Sequence, residues 1–139
     1  MTLVVDASIA VRWLFPVSRD QTADELVRSD RSLIAPDLVL AEIANAAWKF
    51  VRFENLNSNT AASILAEAAN GFDEIVSSRG LKDRAFTMAI ELRHPVYDCF
   101  YLALAEQRDC NMVTADERLL GRCTGTPFAS RIRPLVSAR

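Results

Sequence analysis

Histidine is almost absent from this chain, and His94 is the only one. It has no second histidine to help bind zinc, and a Ser-His-Asp or Cys-His mechanism resting on it is not expected. His94 precedes Pro95 and reads as a helix terminator. Lysine is nearly absent too: of 16 basic residues only Lys49 and Lys82 are lysine. The three cysteines, Cys99, Cys110 and Cys123, form no CxxC pair and no ligand-like cluster. That excludes a disulfide scaffold and fits reduced thiols, as in a cytoplasmic protein. No apolar run reaches the ~18 to 20 residues that cross a bilayer, so no membrane association is expected. Met1-Thr2-Leu3 leads straight into an apolar run without a basic segment, and no signal peptide is expected. Acidic residues also stop early: none follows Glu117, whereas Arg118, Arg122, Arg131, Arg133 and Arg139 do. This tail suits either phosphate or partner contacts or a solvated end.

What is present is an ordinary globular composition, 50% apolar and 24% charged, with a net charge of -2. No global field draws such a chain to nucleic acid. At 139 residues it is long enough for one domain with a proper core. Strands are predicted at 2–5, 32–35, 74–76, 111–114 and 128–132. Helices are predicted from Ser8, as a cap, to Leu14, through Ala23 to Val27, from Asp37 to about Phe53, from Asn57 to Gly71, over 81–92, over 96–107, and from Ala115 to a stop at Gly121. Strands alternating with helices predict a single α/β domain over 1–139. Its central sheet should hold four to five mostly parallel strands with helices on both faces. Trp48, Phe50 and Phe53 are candidates for a dimer face, but at least two of them are expected to pack in the core.

Four carboxylates sit where a soluble chain should avoid them. Asp6 ends the apolar run Leu3-Val4-Val5, and Asp116 follows Met112-Val113 by three residues. Glu42 lies mid-helix among Leu38, Val39, Ile43 and Ala46, and Asp98 lies among Val96, Phe100, Tyr101 and Leu102. A lone buried carboxylate costs several kcal/mol unless it is paired, protonated or metal-bound. Asp6, Asp98 and Asp116 each have a plainer use at a helix start. Glu42, in mid-helix, has none. In an open parallel sheet, ligands bind outside the carboxyl ends of the strands, where Asp6 and Asp116 fall. Taken as a set, the four point to a site for Mg²⁺ or Mn²⁺, hard ions that prefer oxygen ligands. Metal-assisted phosphate chemistry of this kind needs no histidine, cysteine or covalent intermediate.

The segments Val4-Val5-Asp6-Ala7-Ser8, Ala35-Pro36-Asp37-Leu38 running into Glu42-Ile43-Ala44-Asn45, Tyr97-Asp98-Cys99-Phe100-Tyr101-Leu102, and Val113-Thr114-Ala115-Asp116-Glu117 resemble the PIN-domain family. Within it the chain resembles VapC-type toxins of toxin–antitoxin pairs, in order and spacing over residues 2 to about 120. The tail from about 124 is less family-like. The resemblance implies a Mg²⁺-dependent endoribonuclease, Mn²⁺ substituting, that hydrolyses RNA with metal-activated water. It makes Asp6, Glu42, Asp98 and Asp116 the catalytic and metal-binding quartet, with Ser8, Asn45 and Thr114 in support. It also implies a homodimer, a VapB-like antitoxin and structured RNA, tRNA or rRNA, as target. The alternative is an inactive PIN-like module that binds RNA or protein.

Overall fold

The computed structural model describes residues 1–136, so Arg139 of the arginine-rich tail lies outside the described residues. Five strands form one parallel sheet: β1 (Thr2–Val5), β2 (Ser32–Pro36), β3 (Glu74–Val76), β4 (Asn111–Thr114) and β5 (Ile132–Pro134). Their spatial order is β3-β2-β1-β4-β5. Register is set by pairs such as Val4 with Ile34 on one side and Val5 with Val113 on the other. The central strands are apolar at nearly every position: Leu3, Val4 and Val5 are buried, as are Leu33, Ile34 and Ala35. A strand covered on both faces has no wet side to alternate toward.

The helices are α1 (Ala7–Leu14), α2 (Gln21–Arg28), α3 (Leu38–Phe53), α4 (Ser58–Ala66), α5 (Lys82–Leu92), α6 (Val96–Gln107) and α7 (Glu117–Cys123). The chain runs outward from β1 to β3, then jumps back past β1 to β4. Right-handed crossovers therefore place the helices before β3 on one face and α5 with α6 on the other. α6 lies across β1, β2 and β4, and its residues from Tyr101 to Ala105 are all buried. α1 packs against α3 on the opposite face.

Several boundaries differ from the sequence expectations, each for a local reason. Asp6, not Ser8, caps α1, because its carboxylate accepts from the Ile9 amide. α2 runs from Gln21 to Arg28, wider than expected at both ends, because the Asp20 carboxylate caps it by accepting from the Thr22 amide. Asn57 does cap α4, accepting from Asn59 and Thr60, but that helix ends at Ala66 and a separate 3-10 turn covers Ala68–Gly71. α7 starts at Glu117 and passes through Gly121, since Asp116 supplies its cap. The edge strand is Ile132–Pro134; Phe128 is instead buried in the core ahead of a 3-10 turn.

Gly71 is required by a close approach. A Cβ there would lie 2.9 Å from Nε1 of the buried Trp13, whose ring also meets Phe72 at 5.5 Å. Gly71→Ala is therefore expected to destabilise the protein by about 1–3 kcal/mol through overpacking. Urea unfolding checks this, and an unchanged midpoint would contradict it.

Candidate functional site

The strand order reverses direction at β1, whose neighbours are β2 and β4. A crevice opens there beyond the carboxyl ends of β1 and β4. Asp6 is the first residue past β1, and its side chain is buried. Asp116 is the second residue past β4. α3 delivers Glu42 from one face of the sheet, and the first turn of α6 delivers Asp98 from the other.

The two ends of the chain are stitched together around Asp6. Ser8 Oγ donates to Asp6 Oδ1 at 2.5 Å and accepts from the Ala115 amide at 3.0 Å. Thr114 Oγ1 donates to Asp6 Oδ2 and accepts from the Asp116 amide at 3.0 Å. Each hydroxyl is thus used as donor and as acceptor, which fixes its orientation. Asp116 Oδ1 accepts from the amides of Arg118 and Leu119, at 2.9 and 3.2 Å. Helix capping and membership of the cluster are therefore compatible uses of the same carboxylate.

The carboxylates feel one another. Burial pushes the Asp6 carboxyl up to about 7; the hydroxyls of Ser8 and Thr114 oppose this, and the Asp98 charge adds to it. Burial also raises the Glu42 carboxyl, the Tyr101 hydroxyl opposes, and Asp98 again adds. Oxygens of Asp98 and Asp116 and one ring nitrogen of His94 all lie within 4.8 Å of one another. Among the described residues no ion pair sets a guanidinium or ammonium on any of the four acids. Asp98 and Asp116 are thus brought together beside His94, and the Asp98 charge reaches Asp6 and Glu42, which lie outside that group. Beside them runs an open groove of about 440 Å³ between α1 and α3, lined by Ser8, Glu42, Asn45, Lys49 and Tyr97. Asn45 shares this groove with Glu42 rather than touching the other acids.

Two polar neighbours escaped the sequence reading. Tyr101 Oη donates to Glu42 Oε1 at 2.5 Å, a bond between residues 59 apart. His94 Nε2 lies 2.6 Å from Asp98 Oδ2. The available signals were spacings: Tyr101 lies three residues after Asp98 on α6, and His94 four before it in the turn ahead of that helix. Two arginines of the tail, by contrast, serve the other end of the sheet. Arg131 donates to the Cys110 carbonyl and pairs with Asp109 beside the start of β4, and Arg133 reaches Met1 Sδ.

Comparison with known proteins agrees with this geometry. The PIN domain family model matches residues 3–122. Ribonuclease VapC3 of Pyrobaculum aerophilum is 36% identical over 122 residues, spanning 86% of this chain and 92% of its own length. A crystal structure of another chain from P. aerophilum superposes with a TM-score of 0.72 at 24% identity, covering 97% of this chain and 84% of that one. VapBC2 from Rickettsia felis, solved bound to a DNA fragment from its promoter, gives a TM-score of 0.70 at 14% identity, covering 98% and 100%. These two structural likenesses concern the fold. Among the described residues no helix is long and apolar enough to cross a membrane.

Proposed function

This chain belongs to the PIN-domain family, and on that premise we propose that it is a Mg²⁺-dependent endoribonuclease acting as the toxin of a toxin–antitoxin pair. One observation supports the reading: Asp98 and Asp116 lie together, the Asp98 charge acts on both Asp6 and Glu42, and among the described residues no guanidinium or ammonium pairs with any of the four. The relative named a ribonuclease supports the substrate class. The donor set suits the ion. It is dominated by carboxylate oxygens, the preference of Mg²⁺ and Mn²⁺. A divalent cation would also relieve the repulsion that raises the Asp6 and Glu42 carboxyls.

Asp6, Asp98 and Asp116 would hold the ion, and Glu42 would complete the site directly or through water. The bound ion would supply charge stabilisation for a phosphodiester under attack by water. The chain's own residues supply the order. Ser8 and Thr114 clamp Asp6 through both of its oxygens, so the carboxylate needs no reorganisation on binding. The amides at the start of α7 fix Asp116, and the Tyr101 hydroxyl fixes Glu42. Asn45 and Lys49 line the groove in which the RNA backbone would lie, with Lys49 as its cation.

Incubating the protein with total RNA and Mg²⁺, with and without EDTA, tests the reading. Fragments with 5′-phosphate and 3′-hydroxyl ends, lost on chelation, are expected. Cyclic-phosphate ends or EDTA-resistant cleavage would refute it. The fragments also identify the RNA target, for which tRNA or rRNA is the expectation. A VapB-like antitoxin occluding the groove is proposed as partner, on the strength of fold relatives solved as toxin–antitoxin complexes. A homodimer is proposed as well: contrary to the core packing expected of at least two of Trp48, Phe50 and Phe53, Trp48 and Phe53 are exposed, as are Phe86 and Ile90. Light scattering should give twice the 15.4 kDa chain mass.

A further inference from the structure

We propose that His94 is a positioning residue, whose imidazole holds the Asp98 carboxylate in the orientation that receives the metal ion. The inference rests on the metal site proposed above and extends it to a residue outside the acidic quartet.

The local chain is built to put this ring beside Asp98. Arg93 ends α5 in the left-handed region, at φ 52°. The His94 amide returns to the Ala89 carbonyl, and Pro95 then starts α6. This tight turn leaves His94 four residues before Asp98, with its side chain only 3% exposed. A carboxylate accepts and does not donate, so Nε2 carries the hydrogen and donates to Asp98 Oδ2 across 2.6 Å. The other ring nitrogen, Nδ1, is buried and has no partner among the described residues.

That unpartnered nitrogen is informative. Burying a polar atom without a partner is unfavourable. A leucine or phenylalanine would fill the turn without that cost. Among the described residues, the single polar contact that the His94 side chain makes is the one to Asp98. Asp98 is also tied through one oxygen alone: among the described residues its Oδ1 accepts no hydrogen bond. The ring therefore restrains rotation of the carboxylate and leaves its other oxygen without a hydrogen bond among the described residues. Hydrogen bonds to ligating carboxylates orient metal ligands in this way, and removing one typically costs 10–100-fold in metal affinity.

Two measurements on the full chain test this. Because His94 is the only histidine, its ring nitrogens can be observed without assignment by ¹⁵N NMR. The metal-free protein should show a hydrogen on Nε2, downfield and slow to exchange, with that protection lost in Asp98→Ala, which removes the acceptor. A hydrogen on Nδ1 alone, or a ring insensitive to Asp98→Ala, would overturn the proposal. Mn²⁺ affinity, read by calorimetry, should fall about 10-fold or more in His94→Leu. It should recover in His94→Gln, whose amide can donate from a similar position. Unchanged affinity in His94→Leu, while Asp98→Asn abolishes binding, defeats this inference and leaves the metal site standing. Unchanged affinity in Asp98→Asn defeats the site itself. Nitrogen hyperfine coupling to bound Mn²⁺ in the wild type would make His94 a direct ligand and refute the positioning role. If His94→Leu does not fold, the NMR result and His94→Gln still decide.

Discussion

Asp98→Asn is expected to lower RNA cleavage by at least about a thousandfold while leaving the fold intact, a loss of about 4 kcal/mol of transition-state stabilisation. The size follows from charge. Asparagine keeps the shape and one oxygen but removes the negative charge that would hold the cation. The ion's stabilisation of a phosphodiester under attack is worth several kcal/mol. The fold should survive because little depends on this side chain. Asp98 is 24% exposed and lies in the first turn of α6, and among the described residues His94 is the one polar partner of its side chain. The buried residues that anchor α6, from Tyr101 to Ala105, are untouched. Circular dichroism should match the wild type, and the metal-free variant should melt at least as high, because one member of a repelling cluster has been neutralised. Cleavage at the wild-type rate would remove Asp98 from the site. Asp6→Asn should abolish cleavage equally, since Asp6 is coupled to Asp98 across the same crevice.

The parts of this fold that could be read in the chain are those dictated by local pattern. Leu3-Val4-Val5 and Met112-Val113 are short apolar runs, and both are central strands covered on each face. Val96–Gln107 is a helix with the predicted limits, because Pro95 fixes its start. The four acids are conspicuous because each interrupts apolar sequence; the structure sets Asp98 and Asp116 side by side and leaves Asp6 and Glu42 within reach of the Asp98 charge. What local pattern could not carry was anything that depends on two distant segments. The Thr114 bond to Asp6 joins residues 108 apart, and the Tyr101 bond to Glu42 joins residues 59 apart. Tyr101 looked like one more core aromatic until its hydroxyl had a partner. His94 looked like a helix terminator, which it is, but the turn that ends α5 also aims its ring. The misplaced last strand has a similar cause. Phe128 is apolar because it is buried in the core, whereas three residues at the sheet edge, paired only to β4, suffice for β5. The Ser8 cap was misassigned because Asp6, two residues earlier, performs capping and clustering together.

Removing divalent metal should make stability depend on pH in an unusual direction. The folded state holds the Asp6 carboxyl up at about 7, against an ordinary value of 3.8. Between those values the folded chain binds more protons than the unfolded one, so stability falls as pH rises. The contribution is fully present below about 3.8 and is lost as pH passes through about 7. For a shift of this size it amounts to about 4 kcal/mol. Glu42, raised chiefly by burial, adds in the same direction. Mg²⁺ competes with that proton, so its apparent affinity should weaken as pH falls below about 7, with proton release on binding. At 100 times its Kd the ion should stabilise the folded state by about 2.7 kcal/mol. Thermal melting in EDTA and in saturating Mg²⁺, from pH 5 to 8, measures both effects. The gap between the two conditions should widen with pH in the wild type and nearly vanish in Asp6→Asn. A gap that is flat with pH, or the same size in the variant, would mean that Asp6 carries neither the proton nor the metal ion assigned to it.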